Sequence, residues 1–166
     1  MRPSTRRSLQ SGAAFAAVAM PCAAGFVWNA VGEGWRWMVP SSGASAFVVG
    51  ALVWWALIAR RSSPRPARGA ACGALVGVLS HPIAWYLVLV VHWLGDARSS
   101  LGEPPADPFT AVLGAATFSV WSLLLTGWLT VPVATLVGWL LAFRSKGASR
   151  AGDVSAPRED AAPPEV

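Results

Sequence analysis

Acidic residues are scarce, eight in 166, and none of them, nor any Lys or Arg, falls inside four long apolar stretches: Ser11 to Val31, Ala44 to Ala59, Gly69 to Leu94 and Phe109 to Phe143. An aspartyl intramembrane protease needs two buried acids, and proton- or sodium-driven carriers usually need at least one, so both mechanisms lose their ordinary apparatus. Cysteine occurs twice, at Cys22 and Cys72, in separate stretches and with no Cys or His nearby at ligand spacing. A disulfide framework and a zinc site are therefore not expected. Also missing are a Gly-rich phosphate loop with its Lys, a His pair on one helical turn and a flanked nucleophile elbow. Enzymatic activity is not expected. A serine-type intramembrane hydrolase would have to pair Ser80, Ser119 or Ser122 with His81, and their spacing selects none of the three.

What is present is apolar: 54% of residues are hydrophobic and only 13% are charged. That composition suits a fold whose solvent is lipid. The fold class read from it is all-α, a polytopic integral membrane protein built as a bundle of four transmembrane helices. The domain reading is a basic cytoplasmic tail over residues 1–10, a transmembrane domain over 11–147, and a disordered cytoplasmic tail over 148–166, which mixes charges with Pro and lacks apolar periodicity. The spans are placed at about 11–31, 44–59, 69–94 and 119–143. The chain's net charge of +5 does not point to nucleic acid, because the basic residues sit at segment ends rather than in one patch.

Those basic residues give an orientation. Arg2, Arg6 and Arg7 precede the first stretch, Arg60, Arg61, Arg65 and Arg68 lie between the second and third, and Arg144, Lys146 and Arg150 follow the fourth. The two alternate connections carry Glu33 with Arg36, and Asp96, Arg98, Glu103 and Asp107. By the positive-inside rule both termini are expected in the cytoplasm. The abundance of Arg, Ala, Gly and Pro fits GC-rich codon usage, so the expected location is a bacterial inner membrane. Thr5-Arg6-Arg7-Ser8-Leu9 before an Ala-rich run resembles a twin-arginine export signal. However, Leu9 replaces the usual aromatic, and Pro21 before Cys22 is poor for lipoprotein processing. The segment is read as a retained first crossing.

The fourth stretch, at about 1.5 Å per residue, is too long for one straight crossing of a core about 30 Å thick. Splitting it near Thr126 and Gly127 would export Arg144, Lys146 and Arg150, so it is read as one crossing. Asp107 caps its start with Pro108 in the first turn, residues 108–118 form an outer interfacial or tilted extension, and Pro132 is a candidate kink.

In the third stretch Gly69, Gly73 and Gly77 recur every four residues, and the ridge continues through His81, Trp85, Leu89 and Trp93. The glycine half is a flat surface on which another helix can pack closely. The first stretch, with Ala13, Ala17, Pro21, Gly25 and Asn29, is its expected partner, and Ala134, Gly138 and Ala142 form a second small-residue row. Of ten tryptophans, Trp28, Trp35, Trp37 and Trp93 map near the outer boundary as an aromatic belt. Trp54, Trp55, Trp85, Trp121 and Trp128 lie deeper, as core or cavity lining.

His81 and His92 are the only histidines, eleven residues apart on one helix and about 16 Å apart along its axis. They are weak candidates for cofactor binding; no cofactor is expected, and haem stays open only if another copy or partner supplies a second ligand. The plainer expectation is a neutral His81 hydrogen-bonded to a Ser or Thr across a helix contact, beside Pro82. The leading functional expectation is a structural or accessory membrane subunit acting through helix contacts. The alternatives are an oligomeric small transporter or channel with the His81 region on its pathway, and a haem- or redox-associated membrane protein. Expected partners are the lipid bilayer and a second copy or another membrane protein, not nucleic acid.

Overall fold

A computed structural model describes residues 3–28, 33–59, 65–98 and 102–154. Among them the chain is all-helical: α1 (Pro3–Val27), a 3-10 turn (Glu33–Trp37) running into α2 (Met38–Trp54), a π-helical turn (Trp55–Ala59), α3 (Pro66–Leu94) and α4 (Pro108–Val154). Four helical segments are long and apolar enough to cross a bilayer. Their outer faces match that solvent: Phe109 is 89% exposed, Leu113 73% and Trp128 73%. Apolar side chains so exposed along one continuous helix are foreign to a water-solvated monomer.

Several boundaries differ from the sequence reading, each for a local reason. Helix α1 begins at Pro3 and includes Arg6 and Arg7, because proline in a first turn gives up only an N–H that has no intrahelical acceptor. The hydroxyls of Ser8 and Ser11 donate to the carbonyls of Ser4 and Arg7. The same logic lengthens the second crossing. Pro40, which reads as part of a connection, sits in the first turn of α2, and the connection that carries Glu33 and Arg36 becomes helical from Glu33 onward. Helix α4 is unbroken from Pro108 through Pro132 and runs past Gly147 to Val154, so the extension and the crossing are one helix. Its start is capped as expected: Asp107 Oδ1 accepts from the amides of Phe109 (2.9 Å) and Thr110 (3.2 Å), and Oδ2 from the Thr110 hydroxyl (2.6 Å). Arg2, Asn29, Arg60, Arg61 and the tail over residues 155–166 lie outside the described residues.

The helices pack as two antiparallel pairs, α1 with α2 and α3 with α4, joined through α2 and α3. Gly12 of α1 lies against Phe47 of α2, and Gly43 of α2 against Met20 of α1. The α3–α4 seam is tighter. A Cβ added at Gly73 would meet the Ala134 carbonyl oxygen and come within 2.8 Å of the Thr135 Cα; one at Gly69 would meet the Gly138 carbonyl oxygen; one at Gly77 would lie 3.0 Å from the Val131 Cα. The glycine ridge thus faces α4, not α1 as expected, and the two small-residue rows form one interface rather than two. Flat faces on both helices let the backbones approach and make many short-range contacts, the main attraction available between helices in lipid.

A dry cluster of Phe15, Ala46, Val49, Trp54, Ile58, Cys72, Val76 and Ala142 fills the half of the bundle nearer the termini. At the opposite end an aromatic chain ties the pairs together. Phe26 meets Trp35 edge-on at 6.3 Å, Trp35 meets Trp85 at 6.3 Å, and Trp85 stacks on Phe118 at 4.9 Å.

Candidate functional site

Between the dry cluster and the aromatic chain lies a cavity of about 540 Å³ lined by all four helices. Phe15, Ala46 and Val76, which also belong to the core cluster, line its end nearer the termini. Its exposed lining residues come from two helices only: Pro21, Gly25 and Phe26 on α1, and Leu125, Trp128 and Leu129 on α4. The rim therefore lies between α1 and α4, the outer members of the two pairs. The wall is mostly aliphatic and aromatic, and no Asp, Glu, Lys or Arg is among the lining residues.

The polar part of the wall centres on His81. Its Nδ1 lies 2.7 Å from Ser122 Oγ and its Nε2 3.1 Å from Thr130 Oγ1, so one imidazole spans two turns of α4. Ser122, Thr126 and Thr130 share a helix face because they are four residues apart. Each hydroxyl also reaches a backbone carbonyl of α4: Ser122 that of Ser119 (3.2 Å), Thr126 that of Ser122 (2.8 Å), and Thr130 that of Thr126 (3.2 Å). This lets polar side chains sit in an apolar helix without unpaired groups. Among the described residues no buried side-chain nitrogen or oxygen lacks a partner.

A hydroxyl carries a single hydrogen, and this fixes what the trio can do. When Ser122 and Thr130 both donate to their own helix, both imidazole nitrogens face lone pairs, the arrangement that suits a doubly protonated ring. When the ring is neutral, one hydroxyl turns from its carbonyl and donates to the bare nitrogen. Either protonation state is satisfied by rotating one hydroxyl. The other ionisable side chain on the wall is Cys22, on α1.

Other chemistry receives less support from this geometry. Ser122 and His81 are within the reach of a nucleophile and its base, but Ser122 sits in the middle of a continuous helix whose amides serve the helix ladder. No pair of backbone donors is left there for an oxyanion. Iron ligation needs an imidazole lone pair, and both ring nitrogens of His81 are engaged by hydroxyls. His92 is not brought to the cavity; it lies near the end of α3, where its carbonyl accepts the Ala97 amide at 2.9 Å. Among the described residues no three His, Cys, Asp or Glu side chains group as a metal site. Of the residues singled out from sequence, Cys22, Ser80, His81, Trp85, Ser122 and Trp128 line the cavity, Gly77 joins the wall, and Gly69 and Gly73 hold α3 against α4. Thr126 and Thr130 were not linked to His81 in the sequence reading; their four-residue spacing from Ser122 was the available signal.

No protein-family model matches the chain, and no curated protein or solved structure matches it significantly.

Proposed function

We propose that this chain is a small multi-pass membrane protein that binds a lipid-soluble molecule within the bilayer, in the cavity between α1 and α4. The observation that carries this reading is the combination of an apolar cavity of about 540 Å³, opening between the last turns of α1 and the middle of α4, with one polar cluster on its wall at His81. Concave, mostly apolar sites with a few convergent polar groups are the usual form of small-molecule sites. The rim residues of α4, Leu125 to Leu129, fall near the middle of its apolar span, Pro108–Ser145. A ligand would therefore enter from lipid rather than from water. In the proposed topology both termini face the cytoplasm of a bacterial inner membrane, the side favoured by the clustered arginines.

The channel reading draws less support, because the packed core cluster that includes Phe15, Ala46 and Val76 stands between the cavity and the termini. An accessory subunit acting through helix contacts is the second reading. It is favoured by the outer face of α4, where Phe109, Leu113, Trp121 and Leu124 stand exposed along one helix and could meet either lipid or a neighbouring helix.

Native mass spectrometry of the protein in mild detergent tests the first reading. Wild type is expected to retain a small hydrophobic adduct. Ala84→Phe, which puts a ring into the cavity from a buried wall position, is expected to lose it while keeping its melting temperature. A wild type with no adduct, together with a more stable Ala84→Phe, would mark the cavity as a packing void and leave the accessory reading in front.

A further inference from the structure

The chemistry of the wall narrows the ligand. Three features bear on it. First, no Asp, Glu, Lys or Arg lines the cavity, so a bound cation would meet no carboxylate and a bound anion would have only the imidazole of His81 to turn to, and an unpaired charge in an apolar surround is costly. Second, both ring nitrogens of His81 already have hydroxyl partners, so the ring is not free to pair with an incoming charge without breaking its own bonds. Third, Ser42 on α2 and Ser80 on α3 both line the cavity, and among the described residues neither hydroxyl has a hydrogen-bonding partner. These two unused groups are close in depth. With Trp35 set against Trp85, Ser42 stands seven residues along from one ring and Ser80 five from the other, in antiparallel directions. With about 2 Å per residue in the 3-10 turn and about 1.5 Å in the α-helices these steps are of similar length, and both lead from the aromatic chain toward the termini.

We propose that the ligand is a neutral molecule with a hydrophobic body and a single oxygen-bearing end, an alcohol or a ketone, held with that end between Ser42 and Ser80 and its body toward the α1–α4 opening. This rests on the reading of the cavity as a binding site. A hydroxyl both donates and accepts, so the two serines suit a carbonyl, which only accepts, and an alcohol, which does both. The same hydroxyls offer no compensating charge to a carboxylate or an amine. The volume accommodates on the order of 20 non-hydrogen atoms at protein-like packing.

The test uses the full-length protein in lipid nanodiscs and a hexadecanol with a diazirine in its chain. The competitors share that chain and differ at the end group: hexadecanol, 2-hexadecanone, hexadecane, palmitate and hexadecylamine. Crosslinks are expected on the α1 and α4 peptides that line the cavity, displaced by hexadecanol and 2-hexadecanone about tenfold better than by the other three, the scale of one or two lost hydrogen bonds. The double variant Ser42→Ala with Ser80→Ala is expected to keep the labelling and lose that preference. Equal competition by hexadecane would mean that a bare lipid chain fills the cavity; it would overturn the end-group assignment and leave the binding site standing. Stronger competition by palmitate or hexadecylamine would overturn neutrality. Labelling outside the cavity alone, with every competitor inert, would remove the binding site itself and this inference with it.

Discussion

His81 Nδ1 lies 2.7 Å from Ser122 Oγ, joining the middle of α3 to α4 through a polar contact inside an otherwise apolar interface. The second bond, from Nε2 to Thr130, extends the link by two turns. Because Ser122 and Thr130 also reach carbonyls of their own helix, removing the imidazole leaves no hydroxyl stranded. His81→Ala is therefore expected to destabilise the bundle only modestly, by about 0.6 to 2 kcal/mol, the range of interhelical hydrogen bonds in membranes. Unfolding by graded addition of SDS to mixed micelles measures this. A loss well above that range would show that the ring acts mainly by filling space.

The glycine seam predicts a sharper contrast. A methyl group at Gly73 would press on the Ala134 carbonyl carbon at 2.7 Å and the Thr135 Cα at 2.8 Å, backbone atoms that cannot swing aside, whereas one at Gly25 would meet nothing within 4 Å. Gly73→Ala should cost about 1 to 3 kcal/mol by forcing α3 and α4 apart. Gly25→Ala should be neutral or slightly stabilising. Comparable melting temperatures for the two variants would contradict the packing described for α3 and α4.

Asp107 predicts a dependence on pH. Its carboxylate is held below the usual carboxylate range, chiefly by the Thr110 hydroxyl and then by the amides of Thr110 and Phe109. A depressed folded value means that the cap contributes fully above the ordinary carboxylate range and is lost as pH falls through the lowered value. The protection of the Phe109 and Thr110 amides, taken relative to their intrinsic exchange rates, should fall over that acidic window, and Asp107→Ala should show the low protection at every pH. Protection at these amides that persists in the alanine variant would mean the helix start is held by something other than its cap.

Much of this architecture was legible in the sequence because lipid imposes a simple code. The empty apolar stretches gave the number of helices, and Asp107-Pro108 gave the start of α4 with its cap. The glycine ridge identified a close-packing face but not its partner, since Ala-rich α1 and the Ala134–Gly138–Ala142 row offered similar flat surfaces. Which one wins depends on tertiary geometry that one helix cannot encode. The starts placed at residues 11 and 44 fell late for a related reason: apolar content marks where lipid begins, not where the helix does, and Pro3 and Pro40 stand in first turns, where their missing N–H has no consequence. The deeper tryptophans were open to a core or a cavity role, and Trp85 and Trp128 do line the cavity, but its place was not legible, because its opening lies between two helices that do not pack closely and a sequence records residues rather than gaps.

The orientation proposed from the arginines can be checked separately from any ligand. Reporter fusions after Pro64 and Gly147 are expected to signal from the cytoplasm, and fusions after Gly34 and Pro104 from the outer side. An outward signal at Pro64 would invert the proposed topology, although the helix pairing would be unaffected.

The two cysteines give a direct measure of the cavity's opening. Cys72 is fully buried in the dry cluster, while Cys22 is partly exposed and lines the cavity from α1 near the rim. A lipid-soluble maleimide should therefore modify Cys22 in the folded protein and reach Cys72 only after unfolding, with mass spectrometry assigning each adduct. Reactivity depends on forming the thiolate as well as on access, so the rates are best compared with those of the same chain unfolded in SDS, where both thiols share one environment. A bulky cavity wall offers an internal control: in Ala84→Phe the Cys22 rate should fall while Cys72 stays protected. If Cys72 were labelled as fast as Cys22 in the native state, the half of the bundle near the termini would be open rather than packed. The floor assigned to the cavity would then be a passage, which would move the channel reading ahead of the binding one.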